Sequence, residues 1–488
     1  MKKIFNFYFP YLALAVLVAL PLFGHLDTLC IRVWDESRQA VNAYEMFLNK
    51  NYLVVHYWSH PDMWNTKPPF LIWCQVFWIH LIGPGALAIR LPSAIAAFLT
   101  CTAILLFSAK QLKSFWFGFL AVMVLITSSA YVHDHAARTG DYDAMLTLFT
   151  TLSALSFFIY CENQKKRYLY LCFLALTLAV LTKSISGLLF VPAFLAYALI
   201  RKQVLPLLRN PHFYLGLLLF LAPVLAYYLL REQYNPGYID AVFKNELGGR
   251  YLETIEDHNY GFRFYFKNMV SQRYAHWFFL VPFGIAAGLL QRDQVLKRFS
   301  LFCTLLVTLF LLIITSSQTK LPWYDVPLYP FMAILISTFL YAVLRLIRSS
   351  GEEYNSLKTG IFSIAFLLLA FYNPYRNILA KTYLPKEKAG DKEFYEITYY
   401  LREAVNGERN LHQQRIVHED YNAHNLFYVQ ILNEQGKDIS FIPMQEIKTG
   451  QTLIAYQGHV KKYIEDNYHH EVVKTHGNIT TYTLYGTK

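Results

Sequence analysis

Long apolar runs recur along residues 1–380, and they constrain the fold of this chain more than any other feature. A run of roughly 18 or more apolar residues forms a helix long enough to cross the hydrocarbon core of a bilayer, which is about 30 Å thick. Only 16% of the 488 residues are charged, whereas soluble domains contain roughly 25%. The sequence therefore predicts a mostly α-helical, polytopic membrane protein. Its apolar segments lie near residues 7–26, 66–82, 86–108, 115–132, 142–160, 167–181, 185–201, 212–230, 274–290, 299–315, 322–346 and 358–379.

The basic residues between these segments indicate the orientation of the chain. If segment 66–82 does not cross the membrane, the later basic loops lie on the same side as Lys2 and Lys3, which the positive-inside rule assigns to the cytoplasm. Segment 66–82 is also short and follows a Pro68-Pro69 pair, which suits a re-entrant or interfacial helix. The remaining eleven segments are expected to span, with the N-terminus inside and the C-terminus outside the cytoplasm.

Composition leaves two other interpretations to be weighed. The N-terminal 25 residues have the basic start and apolar stretch of a signal peptide, but no small-residue cleavage site follows, so a retained first helix is expected. A net charge of +11 suits nucleic-acid binding, yet much of the basic excess lies in the loops expected to be cytoplasmic, and no nucleic-acid partner is expected. The six cysteines show no disulfide framework and no metal-binding spacing.

The character of the sequence changes after residue 380. A polar, mostly helical stretch is followed by short runs rich in β-branched and aromatic residues, with Gly, Asn and Asp between them. The runs expected to form strands are QRIVHE, LFYVQIL, DISFIP, QTLIAYQ, EVVKTH and ITTYTLYG. The sequence predicts a membrane domain at 1–380, with an outer loop at 27–65 and the re-entrant segment at 66–82. A small soluble α/β domain is predicted at 381–488, outside the cytoplasm.

Unusual polar residues collect in five loops that this topology places on the outer side. The inner loops are short and basic, without a comparable mixture of acids, His and Lys. One-sided clustering of ionisable groups at helix ends is typical of a functional site. The five outer stretches are 27–65, 133–145, 181–187, 231–273 and 316–327.

Three acids in these loops are candidates for chemistry. Asp35 and Glu36 stand at the head of an amphipathic stretch, and Asp143 begins an apolar run, where a carboxylate also favours a helix N-terminus. A carboxylate beside basic groups can take a proton from a hydroxyl or amine acceptor. The remaining acids and histidines of the second loop are expected to cap helix ends or to contact solvent, and they are His133, Asp134, His135 and Asp141.

Basic side chains in the same loops can stabilise an anionic leaving group such as a phosphate. No P-loop or dinucleotide motif accompanies them, and nucleotides are scarce outside the cytoplasm, so a phosphate carried by a membrane lipid is the expected ligand. Lys183 has a simpler alternative role, in which its amine extends to the membrane interface. The candidate substrate-binding residues among these side chains are Arg38, Lys67, Arg138, Lys183, Arg250, His258 and Lys320.

The order of the motifs WDESR, NTKPPF, ARTGDYDAML, LTKS and KLPWYDVPLYP, with an Arg-containing outer loop before the last, resembles a known family. It is similar to the lipid-linked-sugar glycosyltransferases of the GT-C fold, particularly the bacterial aminoarabinose transferases of lipid A and the protein O-mannosyltransferases. The resemblance covers roughly residues 1–380 and implies about 11–13 spanning helices. It implies inverting transfer of a sugar from a polyprenyl-phosphate donor to a lipid A-like, glycan or protein acceptor, on the periplasmic side of the bacterial inner membrane.

The resemblance assigns roles to individual residues. Asp35 corresponds to the catalytic base, Arg38 to the arginine of the family's D-E-x-R pattern and Asp143 to the acid at the start of the fourth helix. Lys67 corresponds to the lysine close to the donor phosphate. Arg250 corresponds, with loose spacing, to the phosphate-binding arginine of the long loop.

Three further points follow from the resemblance. Tyr324 corresponds to the tyrosine of the family's KLP-x-Y motif and is therefore another candidate substrate-binding residue. The aminoarabinose transferases have Glu before their KP pair, whereas this chain has Thr66, and loss of that carboxylate argues against the same donor sugar. Some relatives use a divalent metal ion and others need none, so a metal held by Asp35 and Asp143 is one possibility.

Two functions from other classes remain as alternatives. A transporter or flippase of lipid-linked sugars would place polar residues and broken helices near the bilayer midplane, whereas the distinctive polar residues here lie at outer helix ends. A structural or receptor membrane protein would place its function in the C-terminal region.

Overall fold

Helices dominate the chain, as the sequence predicts, in a computed structural model that describes residues 2–133, 135–248, 260–352 and 356–488. Through residue 382 the helices are α1 Lys2–Phe23, α2 Asp35–Asn49, α3 Phe70–Ile82, α4 Ala86–Gln111, α5 Phe115–Ile126, α6 Ser129–Val132, α7 Asp143–Asn163, α8 Lys166–Lys183, α9 Val191–Ile200, α10 Val204–Leu208, α11 Pro211–Tyr234, α12 Tyr238–Val242, α13 Phe264–Asn268, α14 Val281–Leu289, α15 Gln294–Ser316, α16 Tyr329–Glu352 and α17 Ser356–Thr382. Short 3₁₀ helices cover Ser184–Leu188, Phe278–Leu280 and Pro322–Leu328, and π-helices cover Phe243–Leu247 and Met269–Arg273.

Within the described ranges, six helices are long and apolar enough to cross a membrane, as judged by length and composition. They are Ala86–Gln111, Asp143–Asn163, Lys166–Leu188, Pro211–Tyr234, Gln294–Ser316 and Pro322–Ser349. Four other expected spans form shorter apolar helices, at Tyr8–Phe23, Phe115–Ile126, Val191–Ile200 and Phe278–Leu289. The expected span at 358–379 lies inside α17. The count of eleven spans therefore stays a prediction.

Segment 66–82 forms a short helix, α3, of 13 residues. At 1.5 Å per residue such a helix is about 20 Å long, too short for a hydrocarbon core of about 30 Å. It packs against α2 and α4, and its Leu71, Ile72 and Val76 are buried. This length and packing agree with a helix that lies beside the bundle rather than crossing the membrane within it.

Helix α2 carries the acid pair, and its ends are sharply defined. Trp34, which precedes it, has a positive φ of 71°, and Lys50, which follows it, is left-handed with φ 58°. A two-stranded hairpin follows, with β1 His56–Tyr57 antiparallel to β2 His60–Pro61. Most of α2 is buried, because α3 covers one side of it and the C-terminal part of the chain covers another.

The C-terminal part forms an α/β unit with a five-stranded sheet. Its helices are α18 Ala389–Phe394, α19 Glu396–Val405, α20 Ala423–Glu434 and α21 Gly458–Asn467. Its strands are β3 Gln414–Val417, β4 Ile439–Ile442, β5 Thr452–Ala455, β6 Tyr468–His476 and β7 Ile479–Thr487. They lie in the order β4-β3-β5-β7-β6, with β3 parallel to both β4 and β5, and β7 antiparallel to both β5 and β6.

The prediction of a strand at LFYVQIL is wrong, because these residues lie inside helix α20. A short apolar run has the same pattern in a buried strand and in a helix that is buried on most sides. Here α20 is covered on several faces at once, since it packs against both α2 and α19. The other five predicted strand segments each contain strand residues.

The C-terminal unit shares a hydrophobic core with the membrane part. Tyr44 and Met46 of α2 belong to the same buried cluster as Phe427 and Leu432 of α20. Arg32 adds an ion pair, since its Nη2 lies 2.5 Å from Oε1 of Glu387. The division of the chain near residue 380 remains a prediction, because the two parts are joined by this common core.

Candidate active site

A cavity of about 360 Å³ lies where α2, the segment before α3, and the ends of α7, α8 and α15 meet. Its wall has a polar and an apolar part. The charged residues in the wall are Asp35, Arg38, Lys67, Asp141, Asp143, Lys183 and Glu246. The apolar part includes Leu146, Leu189, Phe310, Ile313, Ile314 and Leu321. A cavity of this kind can hold a molecule with a charged end and a hydrocarbon end.

Asp35 and Glu36 occupy opposite environments although they are neighbours. The Asp35 side chain is 49% exposed and lines the cavity. Glu36 is buried, and its carboxylate accepts hydrogen bonds from Arg90 Nε at 2.7 Å and Nη2 at 2.8 Å. Burial raises the pKa of Glu36, but the Arg90 guanidinium and two backbone N–H donors outweigh it and hold that pKa below its usual value. Glu36 thus anchors the start of α2 and does not line the cavity.

Arg38 is held by a carboxylate that the sequence analysis did not select. Its Nε and Nη2 donate to Asp62 at 2.9 and 2.8 Å, a bidentate pair. Asp62 also accepts hydrogen bonds from the side chain of Asn42 and from the backbone N–H of Asn65. Burial raises the pKa of Asp62, and the bonds from Arg38 and these amides hold it below its usual value. The Arg38 side chain is therefore fixed at the cavity wall.

Lys67 has a carboxylate partner that comes from a distant part of the chain. Its Nζ lies 3.1 Å from Oε1 of Glu246, and the Thr66 hydroxyl donates to the same oxygen at 3.4 Å. Glu246 belongs to the π-helix, whose Asn245 side chain donates to the Met63 carbonyl at 3.1 Å. A carboxylate is therefore present beside Lys67 although Thr66 replaces the Glu that the aminoarabinose transferases have at this position.

Asp143 and Lys183 form a buried ion pair across α7 and α8. The Lys183 amine lies 2.5 Å from Asp143 Oδ1 and 5.4 Å from the centroid of the Tyr324 ring. These contacts place Lys183 in the cavity wall rather than at a solvent-facing interface. Among the described residues, Asp143 is not part of the group of possible metal ligands that includes Asp35.

Asp35 converges with His135 and Asp141 instead. His135 Nδ1 lies 3.7 Å from Asp35 Oδ2 and 3.4 Å from Asp141 Oδ2. The His135 ring stacks on Trp323 with 3.6 Å between ring centroids, and the Thr139 hydroxyl donates to Asp141 Oδ2 at 2.6 Å. Asp141 is 2% exposed, and burial raises its pKa to about 7.

Two polar atoms of this group stay unsatisfied. Asp141 Oδ1 and His135 Nδ1 are buried without a hydrogen-bond partner among the described residues. One ligand atom from each of Asp35, His135 and Asp141 lies within 4.8 Å of the others. The expectation that Asp141 would only cap a helix or face solvent is wrong. A metal ion would therefore find its ligands in this group rather than in Asp35 and Asp143.

Two predicted binding residues, Arg138 and Lys320, are not brought into the cavity. Arg138 donates to main-chain carbonyls near the end of α1, at 2.9 Å to Pro21 and 3.0 Å to His25. Lys320 is buried and donates to the Ser317 carbonyl. Arg250 and His258 lie outside the described residues, so their predicted roles are not tested.

Sequence reasoning missed Arg90, although a signal was available. It is the only charged residue in the apolar run 86–108, and a lone charge in a membrane segment predicts a buried partner. Asp62 and Glu246 offered no comparable signal, because nothing in their neighbouring sequence indicates which cation they meet.

Known proteins share sequence with parts of this chain. Residues 66–228 match the family described as dolichyl-phosphate-mannose-protein mannosyltransferase. The chain is 25% identical over 346 residues to the undecaprenyl phosphate-α-4-amino-4-deoxy-L-arabinose arabinosyl transferase of Aeromonas salmonicida, covering 68% of this chain and 60% of that protein. The chain spans about 60% of the length of the curated relatives that it matches.

Two solved structures resemble the whole fold. ArnT from Cupriavidus metallidurans bound to undecaprenyl phosphate superposes with a TM-score of 0.72 at 16% identity, covering 98% of each chain. The oligosaccharyltransferase of Archaeoglobus fulgidus gives a TM-score of 0.53 at 14% identity, covering 89% of this chain and 64% of that one. This chain is therefore a multi-pass membrane protein with the GT-C fold, and it resembles the lipid-linked-sugar glycosyltransferases in both sequence and structure.

Proposed function

We propose that this protein is a glycosyltransferase that moves a sugar from a polyprenyl-phosphate donor to an acceptor hydroxyl or amine. The observation that carries the proposal is the cavity itself, in which an exposed carboxylate, basic groups and an apolar wall are combined. The apolar part fits the first isoprene units of a lipid carrier, and the basic groups fit its phosphate. The relative from Aeromonas salmonicida, whose name specifies an undecaprenyl-phosphate sugar, supports the same donor class.

The reaction follows from the positions of Asp35 and Lys67. The Asp35 carboxylate takes the proton of the acceptor, whose oxygen or nitrogen attacks the anomeric carbon from the side opposite the phosphate. The bond between that carbon and the phosphate oxygen breaks, and polyprenyl phosphate leaves with the bonding electrons. Lys67 stabilises the negative charge on the departing phosphate, and the anomeric configuration inverts because a single displacement occurs.

The paired state of the basic groups has a consequence for donor binding. Lys67, Lys183 and Arg38 each contact a carboxylate in the structure. A donor phosphate must therefore compete with Glu246 for Lys67. Asp143 and Lys183 are buried against each other in the cavity wall. The presence of Glu246 beside Thr66 removes the argument against an amino sugar as the transferred group, since a carboxylate is available to contact an amine.

A divalent metal ion is a separate proposal. Asp35, His135 and Asp141 would hold it, because their ligand atoms converge and a mixture of carboxylate and imidazole ligands suits several divalent ions. A bound ion would supply positive charge next to Asp35. The His135 ring, fixed against Trp323, orients one ligand position.

The side of the membrane and the acceptor belong to the same proposal. The basic-loop pattern favours a cavity that faces the periplasm of a bacterial inner membrane, where a lipid A-like molecule, another glycan or a protein can serve as acceptor. Cysteines introduced near residue 60, near 138 and within 390–480 should react with a membrane-impermeant reagent from outside, and cysteines near 165 or 295 should not. Labelling near 138 only after permeabilisation would reverse this orientation.

The decisive experiment replaces Asp35 by Asn and measures single-turnover transfer from a polyprenyl-phosphate sugar. A positioned base contributes roughly 10²–10⁴-fold in rate, so the loss should be at least about a hundredfold, with donor binding retained. Asp240→Asn is the matched control, since Asp240 is an exposed acid that pairs with Lys244 outside the cavity. Near-normal transfer by Asp35→Asn, together with complete loss in Asp143→Asn, would move the base to Asp143.

A further inference from the structure

A second, open groove of about 320 Å³ lies at the edge of the C-terminal sheet. It is bounded by the residues that follow β3 and β4, and by the turn of the β1–β2 hairpin. Its aromatic walls are Tyr57, Trp58, Tyr421 and Phe441. Its polar lining consists of His418, Asp420 and Asn422.

The position of this groove is one that α/β sheets use for ligands. The chain runs from β3 through α20 to β4 on one side of β3, and then to β5 on its other side. Such a reversal opens a crevice outside the carboxyl ends of the parallel strands. His418 follows β3, Pro443 follows β4 and Tyr456 follows β5, and the His418 ring contacts the Tyr456 hydroxyl.

The hairpin presents Trp58 to the groove in a strained conformation. Trp58 and Ser59 both have positive φ, 54° and 61°, in a turn where Asn-Gly or Gly is the usual choice. Trp58 is 44% exposed, and its ring lies 6.3 Å from that of Phe441. Backbone strain of this kind persists where the surrounding structure holds it, and it concentrates at ligand sites.

Glu45 holds the strained hairpin against the C-terminal unit. One of its carboxylate oxygens accepts from the Ser59 N–H at 2.9 Å, and the other accepts from the Gln430 side chain of α20 at 2.7 Å. The hairpin is thereby held against α20, the helix that connects β3 to β4 beside the groove.

The groove is connected to the catalytic cavity through two side-chain contacts. The Trp34 ring, which lines the cavity, stacks on Tyr421 with 4.9 Å between centroids and an interplanar angle of 10°. The Arg38 guanidinium, also in the cavity wall, lies 4.3 Å from the centroid of the Tyr57 ring. Two walls of the groove, Tyr421 and Tyr57, are therefore in direct contact with side chains of the cavity wall.

The chemistry of the lining selects one class of occupant. Flat aromatic faces beside His, Asp and Asn match a sugar ring, which has an apolar C–H face and a rim of hydroxyl groups. None of the described residues that line the groove is Lys or Arg, and the guanidinium of the neighbouring Arg38 is already paired with Asp62. A phosphate in the groove would have to compete with Asp62 for Arg38, and Asp420 would repel it. Asp420 favours a neutral or an amino sugar.

We propose that this groove binds an unphosphorylated sugar unit of the acceptor and holds it so that the next unit reaches Asp35. The proposal rests on the glycosyltransferase function proposed above and adds the acceptor class to it. The acceptor is accordingly a glycan, or a glycan-bearing lipid, with at least one sugar that carries no phosphate next to the modified position.

The test uses the full-length protein in nanodiscs, with Trp58→Ala and Phe441→Ala as variants and Tyr485→Ala as the matched control. Tyr485 is an exposed aromatic residue of β7 in the same sheet, outside the groove. The first measurement is direct binding, by ligand-observed NMR, of chitotetraose, maltotetraose, mannotetraose and the bis-phosphorylated glucosamine disaccharide. We expect an uncharged oligosaccharide to bind the parent protein and Tyr485→Ala, and to bind each groove variant roughly tenfold more weakly.

The second measurement is sugar transfer to a glycan acceptor, analysed for acceptor KM, kcat and donor KM separately. The groove variants should raise the acceptor KM by about tenfold while donor KM and slow donor hydrolysis stay unchanged.

The outcomes separate this proposal from the proposed function. Binding of the phosphorylated disaccharide alone, binding of no sugar at millimolar concentration, or an unchanged acceptor KM in both groove variants would overturn the groove assignment and leave the transferase proposal standing. Sugar binding that is lost equally in Tyr485→Ala would point to a general defect of the sheet, and this result would also overturn the groove assignment. Sugar binding without any transfer activity, even in the parent protein, would instead count against the transferase function.

Discussion

The Arg90 guanidinium forms two hydrogen bonds, of 2.7 and 2.8 Å, with the carboxylate of Glu36, and both side chains are buried. The pair joins helix α4 to the first turn of α2. Arg90 also donates to the carbonyls of Leu29 and Cys30 at 2.8 Å, so one guanidinium fixes the loop that leads into Asp35. The position of the proposed base thus depends on an ion pair outside the cavity.

Replacing Glu36 by Gln should mainly lower the free energy of unfolding and should affect the rate of sugar transfer less. Removing one partner of a buried ion pair costs about 3–5 kcal/mol, because the other charge is left unpaired. The thermal midpoint of the purified protein should fall well below that of Asp35→Asn, which removes an exposed charge. Equal midpoints for the two variants would show that the Glu36–Arg90 pair does not hold the start of α2.

The effects of replacing Asp143 and Lys183 on the free energy of unfolding should not be additive. Asp143→Asn and Lys183→Met each leave one buried charge alone and should each cost about 3–5 kcal/mol. The double variant leaves neither, so it should recover much of that loss in unfolding experiments. Transfer activity should stay low in all three variants, since the cavity wall is altered in each, and full activity of the double variant would contradict this.

Lys67 and Glu246 should have opposite effects on donor affinity. Lys67→Met removes a charge-assisted contact to phosphate, worth roughly 1.5–3 kcal/mol, and should weaken binding of undecaprenyl phosphate by about ten- to a hundredfold. Glu246→Gln frees Lys67 from its competitor and should tighten binding severalfold. Isothermal titration in detergent measures both, and weaker binding by Glu246→Gln would mean that this carboxylate contacts the donor directly.

The Asp62 carboxylate should make stability sensitive to acid. Its folded pKa lies below the usual value of about 4, so its contribution is fully present above pH 5 and is lost as the pH falls through the folded pKa. Asp62→Asn should therefore have a lower free energy of unfolding than the parent protein near pH 7. The difference between the two free energies should become smaller below about pH 4. A difference in free energy of unfolding that stays constant from pH 7 to pH 3 would contradict the lowered pKa of Asp62.

The Asp35–His135–Asp141 group should bind a divalent ion if the metal proposal is correct. Millimolar Mn²⁺ should then raise the thermal midpoint of the parent protein, and His135→Ala should abolish that increase. His60→Ala provides the control, since His60 is an exposed histidine of β2 outside this group. An increase that survives in His135→Ala would place the ion elsewhere.

Local sequence properties were sufficient to predict the helical membrane architecture and several cavity residues. Hydropathy over some 20 residues is a property of the segment alone, so the apolar helices could be located without knowing how they pack. Asp35, Arg38, Lys67, Asp143 and Lys183 were selected because the ends of membrane helices meet at the same surface, and Tyr324 was selected from the KLP-x-Y motif of the family that the sequence resembles. All six line the cavity.

Tertiary structure alone decided which charges meet and which residues leave the site. Glu36 differs from Asp35 by one position, yet it is buried against Arg90, and Glu246 reaches Lys67 from a segment 179 residues away. Asp141 and His135 came together with Asp35, whereas Arg138 turned to main-chain carbonyls. Ion pairs between distant segments depend on how helices pack, and the helix at LFYVQIL depends on burial from several sides. Neither is encoded in the residues next to them in the chain.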